Sequence, residues 1–282
     1  MDSGEVMLRP VRPADRERIE AICEKVWEGR DHVPHQLDSW LADPAATFQA
    51  AERNGEVAGI QRLLPVAPGI VLYHALRVAP EYRRQGVARS MLRQALMEAG
   101  RLGFSEVRLY TGEPEAATLF RSEGFQELTD CVTWTGARLE GGELPELARP
   151  GDVQVLARLV ESDPALAAYG GATADWSGPL RPDADLLGKL IDEGLVRVGP
   201  GRRSLALLRR NWLPEMAVTF LAGTGSSLEE LLYRLRAEAD AQAVAACSLL
   251  APQDHPAADT FQAVGYDRAH DEKHALIYSR GL

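Results

Sequence analysis

The run Pro80-Glu81-Tyr82-Arg83-Arg84-Gln85-Gly86-Val87-Ala88 is suited to holding a compact polyanion. An apolar stretch, Ile70 to Val78, precedes it, and a helical apolar period follows. A loop that feeds a helix start presents unpaired amide N–H groups and the positive end of the helix dipole, the elements of a diphosphate cradle. Gly86 lets the backbone approach a ligand closely, and Ala88 leaves the next turn uncrowded. Arg83, Arg84 and Arg89 can add positive charge. As a bare pattern, the loop is equally an ordinary strand–loop–helix link with surface arginines.

His74 lies just ahead of this loop, on the strand. An imidazole with an ordinary pKa near ~6.5 is suited to taking a proton from an ammonium group. A core histidine bonded to a backbone carbonyl is an equal alternative. Tyr73 should face the other side of a regular strand. Cys23, Cys131 and Cys247 are far apart, lack metal-ligand spacing and read as buried small apolar residues. His32 and His35 do not suffice for a metal site, so no metal is expected.

The elements that must position these groups follow from apolar periodicity. A short strand from Glu5 to Arg12 precedes a helix with Ile19, Ile22, Cys23, Val26 and Trp27 on one stripe. A second helix after Pro34 turns Leu37, Trp40 and Leu41 inward. Thr47 to Arg53 and Val57 to Leu64 form a hairpin about Asn54-Gly55. Ile70 to Val78 is apolar on both faces, as a central strand should be. A long helix carries Ala88, Met91, Leu92, Ala95, Leu96 and Ala99, and Gly103 stops it. Val107 to Thr111 is a strand, Ala116 to Ser122 a helix, and one or two strands run from Phe125 through Trp134.

Periodicity lapses from Gly136 to Gly151, which places a boundary between domains at 1–138 and 150–282. The second half alternates again, with helices at Val153 to Val160, Leu186 to Leu195 and Leu228 to Ala239. Its strands are Ser204 to Arg210, Met216 to Ala222, Val244 to Leu250 and Lys273 to Tyr278. Phe120 before Gly124-Phe125 recurs as Phe261 before Gly265-Tyr266, which suggests duplication followed by divergence. Gly223-Thr224-Gly225 stands where the first half has its arginine loop.

The chain has 282 residues, 45% of them hydrophobic, enough for one large core or two medium ones. A net charge of −10 argues against a nucleic-acid partner. No apolar run approaches the ~20 residues of a membrane span, and the start lacks a basic then apolar leader pattern. With no disulfide framework, a reducing cytoplasmic location is expected.

Leu76-Arg77-Val78-Ala79-Pro80 followed by Arg83 to Ala88 closely resembles the acetyl-coenzyme A loop of the GNAT superfamily of N-acetyltransferases. Ala116, Phe120, Gly124 and Phe125 match that superfamily's second motif, and the two motifs cover about half the chain. The resemblance implies an α/β fold with a mixed sheet whose fourth and fifth strands splay around pantetheine. Main-chain groups at Leu76 and Val78 would bond the pantetheine amides, and the amides from Arg84 to Ala88, with Arg83 before them, would hold the pyrophosphate. It also implies acetyl-CoA as co-substrate and direct attack by an amine. Phe120 departs from the pattern, since many relatives carry a tyrosine there that protonates the thiolate; water or another tyrosine such as Tyr110 would have to serve.

Trp27, Asp31 and Trp40 fall in the region where the superfamily binds its acceptor. Asp31-x-Val33-Pro34 leading to Trp40-Leu41 is similar to histidine N-acetyltransferase-type members. Asp31 could attract an amine and Arg30 or Arg62 a carboxylate, though each is commonly a plain surface charge. The expected activity is transfer of acetyl to a primary amine of a small molecule, an amino acid being one candidate. The alternative is a non-catalytic coenzyme A-binding or sensor protein. The second half is expected to be a degenerate GNAT-like lobe. Oligomeric state is left open, a homodimer included.

Overall fold

The computed structural model describes residues 5–26, 29, 31–209, 215–269 and 274–282. Contacts divide the chain into two units. One comprises Met1–Leu109, Leu119–Phe125 and Ser279–Leu282, the other Tyr110–Thr118 and Gln126–Tyr278. The division differs from a cut between 138 and 150: the strand that follows Phe125 pairs inside the second unit, and the last residues of the chain complete the first.

The first unit opens with β1 (Met7–Pro10), α1 (Arg16–Glu24), α2 (Val33–Leu41), β2 (Thr47–Arg53), β3 (Glu56–Ala67) and β4 (Ile70–Val78). It continues through α3 (Val87–Arg101), β5 (Glu106–Thr111) and the end of α4 (Pro114–Ser122). β1 to β4 pair antiparallel in sequence order, and β5 joins β4 in parallel. Asn54 and Gly55 both take positive φ, 53° and 82°, which is what the two-residue β2–β3 hairpin requires. Helix α1 buries Ile19, Ile22 and Cys23, and α2 buries Leu37 and Trp40, against Phe48, Ala50 and Ile60 of the sheet. Five of the six apolar positions expected to form the α3 stripe are buried; Ala88 is half-buried at the loop end.

The second unit comprises β6 (Gln126–Ala137), β7 (Glu146–Leu147), α5 (Val153–Ser162), α6 (Pro164–Ala168), α7 (Ala184–Asp192), β8 (Val196–Val198) and β9 (Ser204–Leu208). β10 (Met216–Gly223), α8 (Gly225–Ala241), β11 (Ala246–Pro252), α9 (Ala258–Ala263), β12 (Tyr266–Arg268) and β13 (Ala275–Gly281) follow. Its strands run β13-β6-β11-β10-β9-β8-β7, with β12 also on β6. The layout repeats that of the first unit: an antiparallel pair (β9–β10), a long helix (α8), then a strand parallel to the one before it (β11 on β10). Arg210 and Lys273, expected at strand ends, lie outside the described residues.

A second repeat escaped the sequence reading. Arg12-Pro13-Ala14-Asp15 and Arg149-Pro150-Gly151-Asp152 fold into the same short 3-10 turn before a helix. In each, the arginine amide donates to the aspartate Oδ2, at 2.7 Å and 2.9 Å. Proline at the first helical position removes a donor that would have no partner.

Candidate active site

The site is organised by where β4 stops pairing with β5. The parallel ladder holds only Ile70 with Glu106, Val71 with Val107 and Leu72 with Arg108, yet β4 runs on to Val78. Past that point Ala75 takes φ 58° and the ladder to β3 slips between Ile60 and Arg62. Such a bulge adds twist and re-aims the residues beyond it. Gly59 faces Val78 across this kink, where a Cβ would lie 2.5 Å from the Arg77 carbonyl oxygen and 3.1 Å from Met91 Sδ. Only glycine lets β3, β4 and α3 meet so closely. Leu76 and Val78 emerge half-buried. Their carbonyls accept from Arg77 Nη1 and Arg83 Nε, both at 3.1 Å, bonds that an incoming ligand would have to exchange.

The loop after β4 has the geometry of an anion cradle. Arg84 and Gly86 take φ 59° and 81°, and Gly86 is the N-cap of α3. No side chain caps that helix and no acidic residue stands in its first turn, so the dipole end is left to an external anion. A Cβ on Gly86 would meet open space. Gln85 braces the loop from below, donating to the Glu81 carbonyl at 2.6 Å and accepting from Arg53 at 2.8 Å. Val87 is buried under the turn and anchors it. Arg83 and Arg84 are exposed, whereas Arg89 is ion-paired with Glu123 at 2.9 Å. Arg89 is therefore not a spare charge for phosphate.

On the other side of β4, His74, Trp40, Arg62 and Asp43 form one cluster. The Trp40 ring packs edge-on against His74 with centroids 5.2 Å apart, and Arg62 lies 4.8 Å over the Trp40 ring. Arg62 Nη1 sits 3.2 Å from His74 Nε2 and Nη2 is paired with Asp43. A guanidinium only donates, so Nε2 is the accepting nitrogen and the ring proton sits on Nδ1. Burial, then the Arg62 charge, pushes the His74 pKa down to about 3. Of the two readings the sequence allows for His74, open base or carbonyl-bonded core residue, the structure shows a third arrangement, with the Nε2 lone pair engaged by Arg62 and an Nδ1–H to offer.

Asp31 is also committed. It is buried, takes Arg77 Nε at 2.6 Å and Nη2 at 3.1 Å, and accepts from the Val33 amide at 3.1 Å. Burial raises its pKa, but the Arg77 hydrogen bonds and charge outweigh this and hold it below the ordinary carboxylate range. Asp31 thus pins β4 to the start of α2 and is not an open anionic spot for an amine. Trp27 lies outside the described residues.

Phe120 is buried and packs edge-on against Tyr73 and Phe125, so this position provides packing and no proton. Tyr73 does face away from His74; its hydroxyl donates to Gln61 at 3.0 Å, and burial raises its pKa. Tyr110 belongs to the second unit's core, and burial pushes it up to about 12. Burial also pushes Cys23, Cys131 and Cys247 up to about 12 each, which suits inert core thiols. Among the described residues no cluster of metal-ligating side chains occurs. Sequence reasoning missed the Arg77–Asp31 and Arg62–His74 pairings. The second was reachable by counting the β3–β4 ladder, which sets Arg62 opposite His74.

Comparison with known proteins agrees with this geometry. Residues 16–125 match the model of the acetyltransferase (GNAT) family. The rat N-acetyltransferase family 8 member 3 is 38% identical over 97 residues, 32% of this chain and 42% of that protein. The histidine N-acetyltransferase of Oreochromis niloticus is 34% identical over 80 residues, 28% of this chain and 24% of that protein. The chain spans less than half the length of the first such relatives. A GCN5-related N-acetyltransferase from Sphaerobacter thermophilus shares the fold over 100% of this chain and 96% of its own, with TM-score 0.63 at 14% identity. Residues 16–125 are thus similar to the GNAT acetyltransferases, and that family uses acetyl-CoA. No helix among the described residues is long and apolar enough to cross a membrane.

Proposed function

We propose that the first unit transfers acetyl from acetyl-CoA directly to a primary amine of a small molecule, an amino acid being the leading candidate. The observation that carries this reading is the pairing of β4 with β5 only as far as Leu72, followed at once by the uncapped start of α3 at Gly86. Pantetheine would take the main-chain groups of Leu76 and Val78, and the pyrophosphate the amides from Arg84 to Ala88. Arg83 and Arg84 would supply charge. In the transfer, the amine nitrogen bonds to the thioester carbonyl carbon, the C–S bond breaks, and the thiolate leaves. With Phe120 at the family's tyrosine position, the proton shed by the attacking nitrogen passes through water to the leaving thiolate, giving the amide and free coenzyme A thiol. His74 serves as an Nδ1–H donor that orients the acceptor between Trp40 and Arg62, and the amine enters already neutral or loses its proton to water.

The second unit enters the proposal as a diverged GNAT-like lobe that binds no coenzyme. Its loop at Gly223 is turned inward: the Gly223 amide donates to the Asp163 carboxylate at 2.7 Å, which sets a negative charge behind the anion approach. A non-catalytic coenzyme A sensor remains the second reading, favoured by Phe120 and by the engaged lone pair of His74. Thiol release from acetyl-CoA across a panel of amino acids and simple amines tests the choice. Amine-dependent release above the background of a Gly86→Val variant supports the enzyme. Tight acetyl-CoA binding with no release in any amine supports the sensor.

A further inference from the structure

Among the described residues, Arg209 is the only side chain with two buried nitrogens lacking a partner. It follows β9 directly and its amide bonds the Ala217 carbonyl at 3.1 Å, so the backbone there is fixed. The side chain is 7% exposed. Its guanidinium lies flat on Trp176, 3.6 Å from the ring centroid, and Nη2 meets Glu215 at 3.0 Å. Nε and Nη1 are buried and have no hydrogen-bond partner. Buried donors of a charged group left without a partner are costly, and folded proteins rarely keep two on one side chain.

The surroundings narrow what could satisfy them. Trp176 covers one face of the guanidinium, so an acceptor would have to reach the buried Nε and Nη1 along its edge. A flat acceptor with paired oxygens fits such an edge best. Tyr110 lies within electrostatic reach of Arg209, with Asp175 and Glu215 nearby. Asp175 is occupied with the Ser177 amide and hydroxyl, at 2.9 Å and 2.8 Å, so it does not compete for the arginine. Trp176 is half-exposed and Ser177 exposed, which gives the cluster a rim on the surface of the second unit.

We propose that Arg209, Trp176 and Tyr110 form a second ligand site, within the second unit, that binds the carboxylate of a small organic acid. Arg209 holds the carboxylate oxygens, Trp176 fixes the guanidinium plane and packs the acid's apolar body, and Tyr110 lies within electrostatic reach of Arg209. This site is independent of the coenzyme loop and of acetyl transfer.

The test is calorimetric titration of the full chain, without coenzyme, using benzoate, its neutral isostere benzamide, and inorganic phosphate. Saturable benzoate binding is expected, with benzamide at least about tenfold weaker, the size of one lost charged contact. Arg209→Met should abolish benzoate binding and leave the thermal midpoint unchanged or raised, since it removes an under-paired buried charge. If that variant does not fold, Arg209→Lys and Trp176→Leu carry the test, and both should weaken benzoate by about tenfold or more. The Gly86→Val variant should bind benzoate as the parent does, which separates this site from the coenzyme reading. Absence of benzoate binding, binding retained without Arg209, or phosphate bound more tightly than benzoate would each overturn the proposal.

Discussion

The two units carry the same wedge between parallel strands, and they treat it in opposite ways. In the first, pairing stops at Leu72 and the strand end Leu76–Val78 is left half-buried. In the second, β10 and β11 pair from Met216 with Cys247 to Val218 with Leu249 and then part. That wedge is filled from within. The Tyr169 hydroxyl donates to the Leu250 carbonyl at 2.8 Å, His255 Nε2 to the Leu221 carbonyl at 3.2 Å, and the Ala174 amide to the Thr219 carbonyl at 2.7 Å. All of β10 is buried as a result. Splayed strands expose main-chain groups that must find partners. In the first unit the Leu76 and Val78 carbonyls are met by the half-buried Arg77 and the exposed Arg83 side chains, whereas in the second unit buried Tyr169 and His255 and the Ala174 amide fill the wedge.

Substitutions at matched positions sharpen the contrast. Gly86→Val forces a β-branched residue to φ 81° in the loop and should weaken acetyl-CoA binding by about 100-fold or more, which is ~2.8 kcal/mol. Gly225→Val, at φ 61° at the start of α8, should leave the affinity within about twofold. Isothermal titration of the two variants reads both outcomes; equal losses would end the distinction between the loops. Asp31→Asn strands the Arg77 charge in the first unit and should cost about 3 kcal/mol of stability by chemical denaturation. Tyr169→Phe removes the plug's hydroxyl and leaves the Leu250 carbonyl bare, at about 1–2 kcal/mol, with acetyl-CoA affinity unchanged.

The smallest expected effect is a slope. The His74 pKa is depressed to about 3, so the unfolded chain binds this proton below its ordinary pKa near ~6.5 while the folded chain refuses it until far lower. The contribution of His74 to stability is therefore complete above that ordinary value and is lost progressively as pH falls toward the folded one. Thermal midpoints between these limits should fall less steeply in a His74→Gln variant than in the parent. Parallel curves would show that His74 titrates normally.

Much of this was legible in the sequence. Strand and helix order in the first unit followed from periodicity, and Arg83 to Ala88 marked the turn from β4 into α3 because glycine placement and helix start are local features. Partnerships between distant residues were less legible. Arg62 opposite His74 follows from counting the β3–β4 register, but Arg77 meets Asp31 from a segment 46 residues away, which no local pattern announces. The contact-based units divide the chain differently from the sequence boundary for a similar reason. The lapse of periodicity after Gly136 is real, but β6 pairs with β11, seven residues against seven, and strand pairing decides which unit owns it.

The central claim is that one wedge is open and one is closed, and counting sites tests it most directly. Calorimetric titration of the full chain with acetyl-CoA should give one site per chain, lost in Gly86→Val and kept in Tyr169→Phe. Two sites, or one that survives Gly86→Val, would contradict the account.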